Sequence, residues 1–242
     1  MKKILSTNGI ALFILLMLNA CYHNEFKCVK GSGAIVEEKK VFDEEIHTIS
    51  SSLPANVYIT QGDTQEVILK AQKNIHDIAA FYVDQGELVL KIAGDRCIRK
   101  TDIEVFITIP TIKKVTLQSA GQIIGQNLWD SPNLEVILSG VGKIKAEIKS
   151  NSVYTKTSGA GQIKLKGNTQ IQQVTLSGVG NYEAFDLVSN KATIKLKGAG
   201  NCEVNVTQEL NATISGSGNI NYKGNPAIHR DISGVGSVTK AG

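Results

Sequence analysis

Five serines, Ser139, Ser158, Ser177, Ser215 and Ser233, each stand directly before a glycine. A serine beside glycine on a sharp turn is the setting of a hydrolase nucleophile, so that chemistry is tested first. The nucleophile needs a strand-to-helix turn and a His/Asp relay, and the sequence offers neither to any of the five. The histidines, His23, His47, His76 and His229, are scattered, with no second ligand at metal-binding spacing. His47 follows Asp43, Glu44 and Glu45, but the two-residue period of a strand splits those side chains between faces. Calcium-loaded solenoids place an Asp after their glycine pairs, and none follows here. Glycan cleavage needs clustered acids, whereas Glu135, Glu147, Glu183, Asp186, Glu203, Glu209 and Asp231 are spread apart. Nor does a Lys-Ser/Thr pair follow any glycine phrase to cradle a phosphate. These patterns lead to the expectation of a non-enzymatic protein without cofactor or metal.

The serines belong to a larger pattern. Ser119-Ala120-Gly121, Gly140-Val141-Gly142, Gly159-Ala160-Gly161, Gly178-Val179-Gly180, Gly198-Ala199-Gly200, Gly216-Ser217-Gly218 and Gly234-Val235-Gly236 are seven copies of one phrase. Their last glycines fall at 121, 142, 161, 180, 200, 218 and 236, steps of 18 to 21 residues. Two residues before each phrase stands Leu117, Leu138, Thr157, Leu176, Leu196, Ile214 or Ile232. Two residues earlier again come Val115, Val136, Thr155, Val174, Ile194, Ala212 and Arg230. Two residues past each phrase come Ile123, Ile144, Ile163, Tyr182, Cys202, Ile220 and Val238. Alternation on both sides of a glycine corner predicts two strands per repeat, with Lys143, Lys145, Lys164, Lys166, Lys195 and Lys197 facing solvent.

Like residues at like places are what stacking produces, so the expected fold is an all-β parallel solenoid of about seven regular coils. An antiparallel sandwich is the alternative, but it gives such columns no reason to form. Arg230 and Lys240, at inward places of the last copy, suit a terminal coil with an open edge. The serines before the glycines should line one edge as a hydroxyl ladder. Gln122, Lys143, Gln162, Asn181, Asn201, Asn219 and Ser237 make an amide-rich row beside them. Such rows can bond from coil to coil, or they can contact a glycan or protein.

Residues 33–110 are expected to form less regular coils of the same domain. Strand-like runs at Val57 to Thr60, Val67 to Ala71, Glu87 to Ile92 and Ile103 to Ile109 are parted by turn residues. Asn74 to Phe81 reads as a short helix. Pro110 closes the last run, because it cannot donate to a ladder.

The first residues give an address. Lys2 and Lys3 precede an unbroken apolar run from Ile10 to Leu18, and Ala20 precedes Cys21. Nine apolar residues fall short of the roughly 20 that span a bilayer as a helix, but they suit a signal peptide over residues 1–20. Leu18-Asn19-Ala20-Cys21 resembles the bacterial lipoprotein signal, which implies lipidation of Cys21 and an outer-membrane anchor. An ordinary cleaved leader is the alternative. Residues 21–32 would then be a tether. Of the remaining cysteines, Cys28 and Cys97 are the candidate disulfide pair, since both lie outside the regular repeats. Cys202 stands in an apolar column and is expected as a buried thiol. Net charge is +4, and losing Lys2 and Lys3 leaves 24 basic against 22 acidic residues, so no footprint for nucleic acid exists.

Several ordered segments carry a wider resemblance. Gly31-Ser32-Gly33, Asn56-Val57-Tyr58-Ile59-Thr60-Gln61-Gly62-Asp63, Gly86-Glu87-Leu88-Val89, the Ser-Gly-x-Gly copies and Tyr222-Lys223-Gly224-Asn225-Pro226 resemble the GIN-domain family. That family is described as heads of autotransporter adhesins, common as envelope lipoproteins of Bacteroidetes-type bacteria. The resemblance spans residues 31–240. It implies a single β-stack on the cell envelope, facing an envelope protein or glycan, and it brings no catalytic residues. Two positions depart from the pattern: Ser119 replaces a glycine and Lys197 a serine. A periplasmic scaffold is the second functional reading, and a glycan-processing enzyme the third.

Overall fold

A computed structural model of the chain describes residues 28–94 and 96–242. The leader, Cys21 and His23 lie outside the described residues. The first part of the chain holds β1 (Val29–Lys30), β2 (Ile35–Lys40), β3 (Thr48–Ser51), β4 (Asn56–Gln61) and β5 (Glu66–Gln72). One turn of helix, α1 (Lys73–His76), leads to β6 (Ala79–Asp84), β7 (Glu87–Ile92), β8 (Ile98–Arg99) and β9 (Glu104–Ile109). The repeats begin with β10 (Lys114–Leu117), β11 (Gln122–Asp130) and β12 (Asn133–Leu138). Long strands follow: β13 (Lys143–Thr157), β14 (Ala160–Leu176), β15 (Val179–Leu196) and β16 (Ala199–Ile214). The stack ends with β17 (Ser217–Lys223), β18 (Ala227–Ile232) and β19 (Val238–Lys240).

Every ladder joining consecutive repeats is parallel, so the chain is a β-solenoid. The register reproduces the three sequence columns residue for residue. Leu117 pairs with Leu138, Leu138 with Thr157, Thr157 with Leu176, Leu176 with Leu196, Leu196 with Ile214 and Ile214 with Ile232. Ile123, Ile144, Ile163, Tyr182, Cys202, Ile220 and Val238 align the same way. Their side chains fill the interior of the coils, and every member of this second column is buried. The six exposed lysines named above lie on the outer faces. Each coil thus has a glycine corner and, at the far end of the same strands, a second corner through which the backbone passes almost without a break.

Glycine at the first corner answers to proximity more than to backbone angle. A Cβ on Gly178 would lie 2.0 Å from the carbonyl oxygen of Gly159, and one on Gly159 would lie 1.9 Å from that of Gly140. Neither has a positive φ. Adjacent coils meet here backbone to backbone, so any side chain would wedge them apart. Ser119 escapes because the coil beneath it turns through Leu53 and Ala55 instead of glycine. Its hydroxyl donates to the Leu53 carbonyl oxygen at 2.7 Å. Lys197 is exposed and meets no such limit.

The N-terminal part departs from the expected run of irregular coils. β3 and β4 form one coil and β7 and β9 another, but their order in space is not their order in sequence. The β3–β4 coil is sandwiched, with β10 and β11 on one side and β7 and β9 on the other, all in parallel. Residues 62–109 therefore travel outward to the end of the stack and the chain then returns over it. On that end the pairing turns antiparallel: β5 covers β9, β2 covers β5, and β6 covers β7. Ala79 to Phe81, expected in a helix, begin β6; the helix is only the four residues of α1. Ile75 of that turn is buried, which closes the core at this end. Gln61 fastens the return: its amide nitrogen donates to the carbonyl oxygens of Pro110 and Asp130, at 3.0 Å each.

The opposite end has no cover. Arg230 aligns with Ala212 in an inward column, yet it is exposed, as are Ile232 and Lys240. Charged residues there discourage another strand from adding to the edge.

Candidate functional site

The two corners present different surfaces. At the glycine corner Ser139, Ser158, Ser177, Ser215 and Ser233 are all exposed and stacked, but none makes a side-chain hydrogen bond to a described residue. Their row exists; their hydroxyls face outward and bond to none of the described residues. Between the glycines the middle residues also point out, with Val141 70%, Val179 65% and Val235 76% exposed. The neighbouring amide row does bond from coil to coil at its C-terminal half. The Oδ1 of Asn181 accepts from the Asn201 N–H at 3.1 Å, that of Asn201 from Asn219 at 3.3 Å, and that of Asn219 from Ser237 at 3.1 Å. Gln162 donates instead to the Glu183 carboxylate, while Lys143 stays exposed and Gln122 is half-buried.

A bonded hydroxyl ladder is found at the second corner. Ser131, Ser150, Thr169 and Ser189 are buried. Ser150 Oγ donates to the Ser152 carbonyl at 2.6 Å and reaches that of Pro132 at 3.2 Å, in the coil before. Thr169 Oγ1 meets the carbonyls of Asn151 and Ile171, and Ser189 Oγ that of Asn205 at 3.0 Å. Thr207 Oγ1 continues the series to the Ser189 carbonyl. Outside this ladder Asn151, Asn168, Gln170 and Asn190 edge an open groove of about 450 Å³. Sequence reasoning missed the ladder, although its steps of 19, 19, 20 and 18 residues repeat the glycine period.

The remaining expectations fall as follows. The sulfurs of Cys28 and Cys97 are bonded, across 69 residues. That bond ties β1 to β8, the two strands of a small separate sheet. Cys202 is a buried thiol, and burial pushes its pKa far up, with Glu203 adding to the shift. It packs there as a small apolar side chain within the column. His47, His76 and His229 stay apart, and among the described residues no group of three metal-ligating side chains exists. Inside the core Thr155, Thr157, Gln172 and Tyr182 bury polar atoms that have no hydrogen-bond partner. Burial raises the Tyr182 pKa, and its hydroxyl lies beside Thr155 without hydrogen-bond geometry.

No helix among the described residues is long and apolar enough to cross a membrane. The fold matches that of known proteins. Residues 46–226 fit the family described as "Putative auto-transporter adhesin, head GIN domain". The chain belongs to this family. A crystal structure of a "putative adhesin" from Bacteroides fragilis superposes on the GIN domain with a TM-score of 0.81 at 26% identity, covering 88% of this chain and 100% of that one. A "putative lipid binding protein" from Parabacteroides distasonis gives 0.76 at 21% identity, covering 89% and 100%. A "putative adhesin" from Parabacteroides merdae gives 0.65 at 20% identity, covering 88% and 99%. The last two are similar in fold alone. No protein of curated function matches the chain. Family and neighbours thus indicate an adhesin-like envelope or surface protein, described without catalytic activity.

Proposed function

We propose that this GIN domain is a non-enzymatic outer-membrane lipoprotein, anchored through Cys21, that offers its repeated corners to a glycan or partner protein. The observation that carries the reading is the spacing of its outward rows. Glycine contacts such as Gly178 on Gly159 hold the coils at backbone distance. Serines and amides consequently recur about every 4.8 Å along most of the stack, with an exposed valine at every second or third coil. A surface of that kind suits a repeating or extended ligand, where many weak contacts add through multivalency. The leader ending Leu18-Asn19-Ala20-Cys21 supports the address. The Cys28–Cys97 disulfide supports an exported, oxidising setting. Lipid, named for one structural relative, would have to bind outside the coils, because buried side chains fill their interior.

The test has two arms. Labelling cells with a palmitate analogue should tag the protein and fail for Cys21→Ala; equal labelling of both would remove the anchor. Protease added to intact cells should degrade the protein while a periplasmic marker survives. Protection until the outer membrane is breached would sink the adhesin reading in favour of a periplasmic scaffold.

A further inference from the structure

The charges on the outer faces follow two patterns. On four rows an acid and a base from adjacent coils neutralise each other. Lys114 pairs with Glu135 at 3.1 Å, Lys149 with Asp130 at 2.8 Å, Lys166 with Glu147 at 2.9 Å and Lys191 with Glu209 at 3.2 Å. One row breaks this rule. Lys145 stacks on Lys164, Lys164 on Glu183, and Glu183 on Glu203, in four consecutive coils. Among the described residues Lys145, Lys164 and Glu203 make no ion pair within 4.0 Å, and Glu183 accepts from Gln162. Like charges directly opposite on neighbouring strands are destabilising. The row is therefore unfavourable twice within one chain, at Lys145/Lys164 and at Glu183/Glu203.

Its order, base-base-acid-acid, becomes favourable across a two-fold axis. Lay a second copy face to face with its stack running the other way and the axis between the coils of Lys164 and Glu183. Lys145 then faces Glu203 of the second copy and Lys164 faces its Glu183, and both contacts occur twice. The flanking row, nearer the glycine corner, brings Lys143 opposite Asn201 and Gln162 opposite Asn181 of the second copy, donors against amides. We propose that this face is a self-complementary contact through which two copies associate antiparallel. The two rows over six coils measure about 29 Å by 14 Å, or about 400 Å² per copy, which places the pair among weak, reversible associations.

The orientation has a further meaning, which rests on the proposed anchor. Residue 28 lies at the β7–β9 end of the stack, joined to Cys97. Antiparallel copies carry their anchors at opposite ends, so such a pair links two facing membranes instead of neighbours on one. The occupant of the face is then this same protein on another cell.

Among the described residues every buried one lies between Ile46 and Val238, so a chain from Tyr22 to Gly242 keeps the described core and can be used without lipid. Sedimentation at about 50 mM salt should show a monomer–dimer equilibrium, loosening about tenfold or more by 500 mM as charges are screened. Lys145→Glu with Lys164→Glu makes the row wholly acidic, and Glu183→Lys with Glu203→Lys makes it wholly basic. Each variant alone should be monomeric, and their equimolar mixture should dimerise. The milder pair Lys145→Gln with Lys164→Gln should weaken association without stacking four like charges, which separates loss of contact from loss of folding. Beads bearing the chain through residue 22 should cluster when wild-type, and beads of the two charge variants should cluster only with each other. A wild-type monomer at every concentration and low salt would overturn the proposal. So would a dimer indifferent to both charge reversals. The solution measurement does not depend on Cys21, so absence of lipidation and absence of self-association are read separately.

Discussion

The two corners of each coil solve one problem in opposite ways. At both, consecutive strands approach to ladder distance while the chain turns around the core. The glycine corner does so by removing side chains: Gly178 leaves no room for a Cβ above Gly159. The second corner keeps most of its side chains, Gly167 and Gly224 apart, and turns short hydroxyls inward, where Ser150, Thr169 and Ser189 bond carbonyls of their own and neighbouring coils. The first is a steric constraint and tolerates no substitution inward, whereas the second is a polar one with a modest cost for each loss. What faces outward differs too. Ser177 and Val179 are free to vary at the glycine corner, because packing is handled by Gly178 between them and Gly180 after them.

Four substitutions grade that contrast. Ile163→Asp attacks the interior that both corners enclose. It should cost about 5 kcal/mol or more, because a carboxylate enters a fully buried column; an unchanged melting curve would refute the column. Gly178→Ala should cost about 3 kcal/mol, since the methyl group meets rigid backbone at 2.0 Å. Denaturant midpoints showing less loss than at the second corner would reverse the comparison. Ser189→Ala should cost about 1 kcal/mol, the usual worth of one buried hydrogen bond. Ser177→Ala should stay within about 0.5 kcal/mol, and a larger effect would mean that the outer serine row also supports the fold.

The same contrast explains what could be read from the sequence. Columns such as Val115-Val136-Thr155-Val174 were legible because strand alternation and coil period act together, and each inward place faces its equivalent. The glycine corner was legible because steric exclusion leaves one residue type. The second corner was obscure: Ser, Thr, Pro, Asn and Gln alternate there, and β13, β15 and β16 run through it without a breaker residue, while β14 carries a single glycine, Gly167. β2 escaped notice because nearly all of Ile35–Lys40 is exposed on both faces, which erases alternation. β6 was mistaken for helix because Ala79-Ala80-Phe81 packs at the edge of the stack, partly buried throughout. The detour of residues 62–109 is a non-local pairing choice, and no local pattern encodes it. For the functional surface the rows were legible, but the direction in which each hydroxyl bonds was not.

The sandwiched position of the β3–β4 coil carries a kinetic consequence. Both of its parallel neighbours come later in the chain, at residues 87–109 and 114–130. A chain that emerges N-terminus first can therefore complete no coil until those segments have also emerged. After that point each further 20 residues or so find a finished template and add to it in turn. Assembly is delayed at the start and processive afterwards, growing away from the β7–β9 end of the stack.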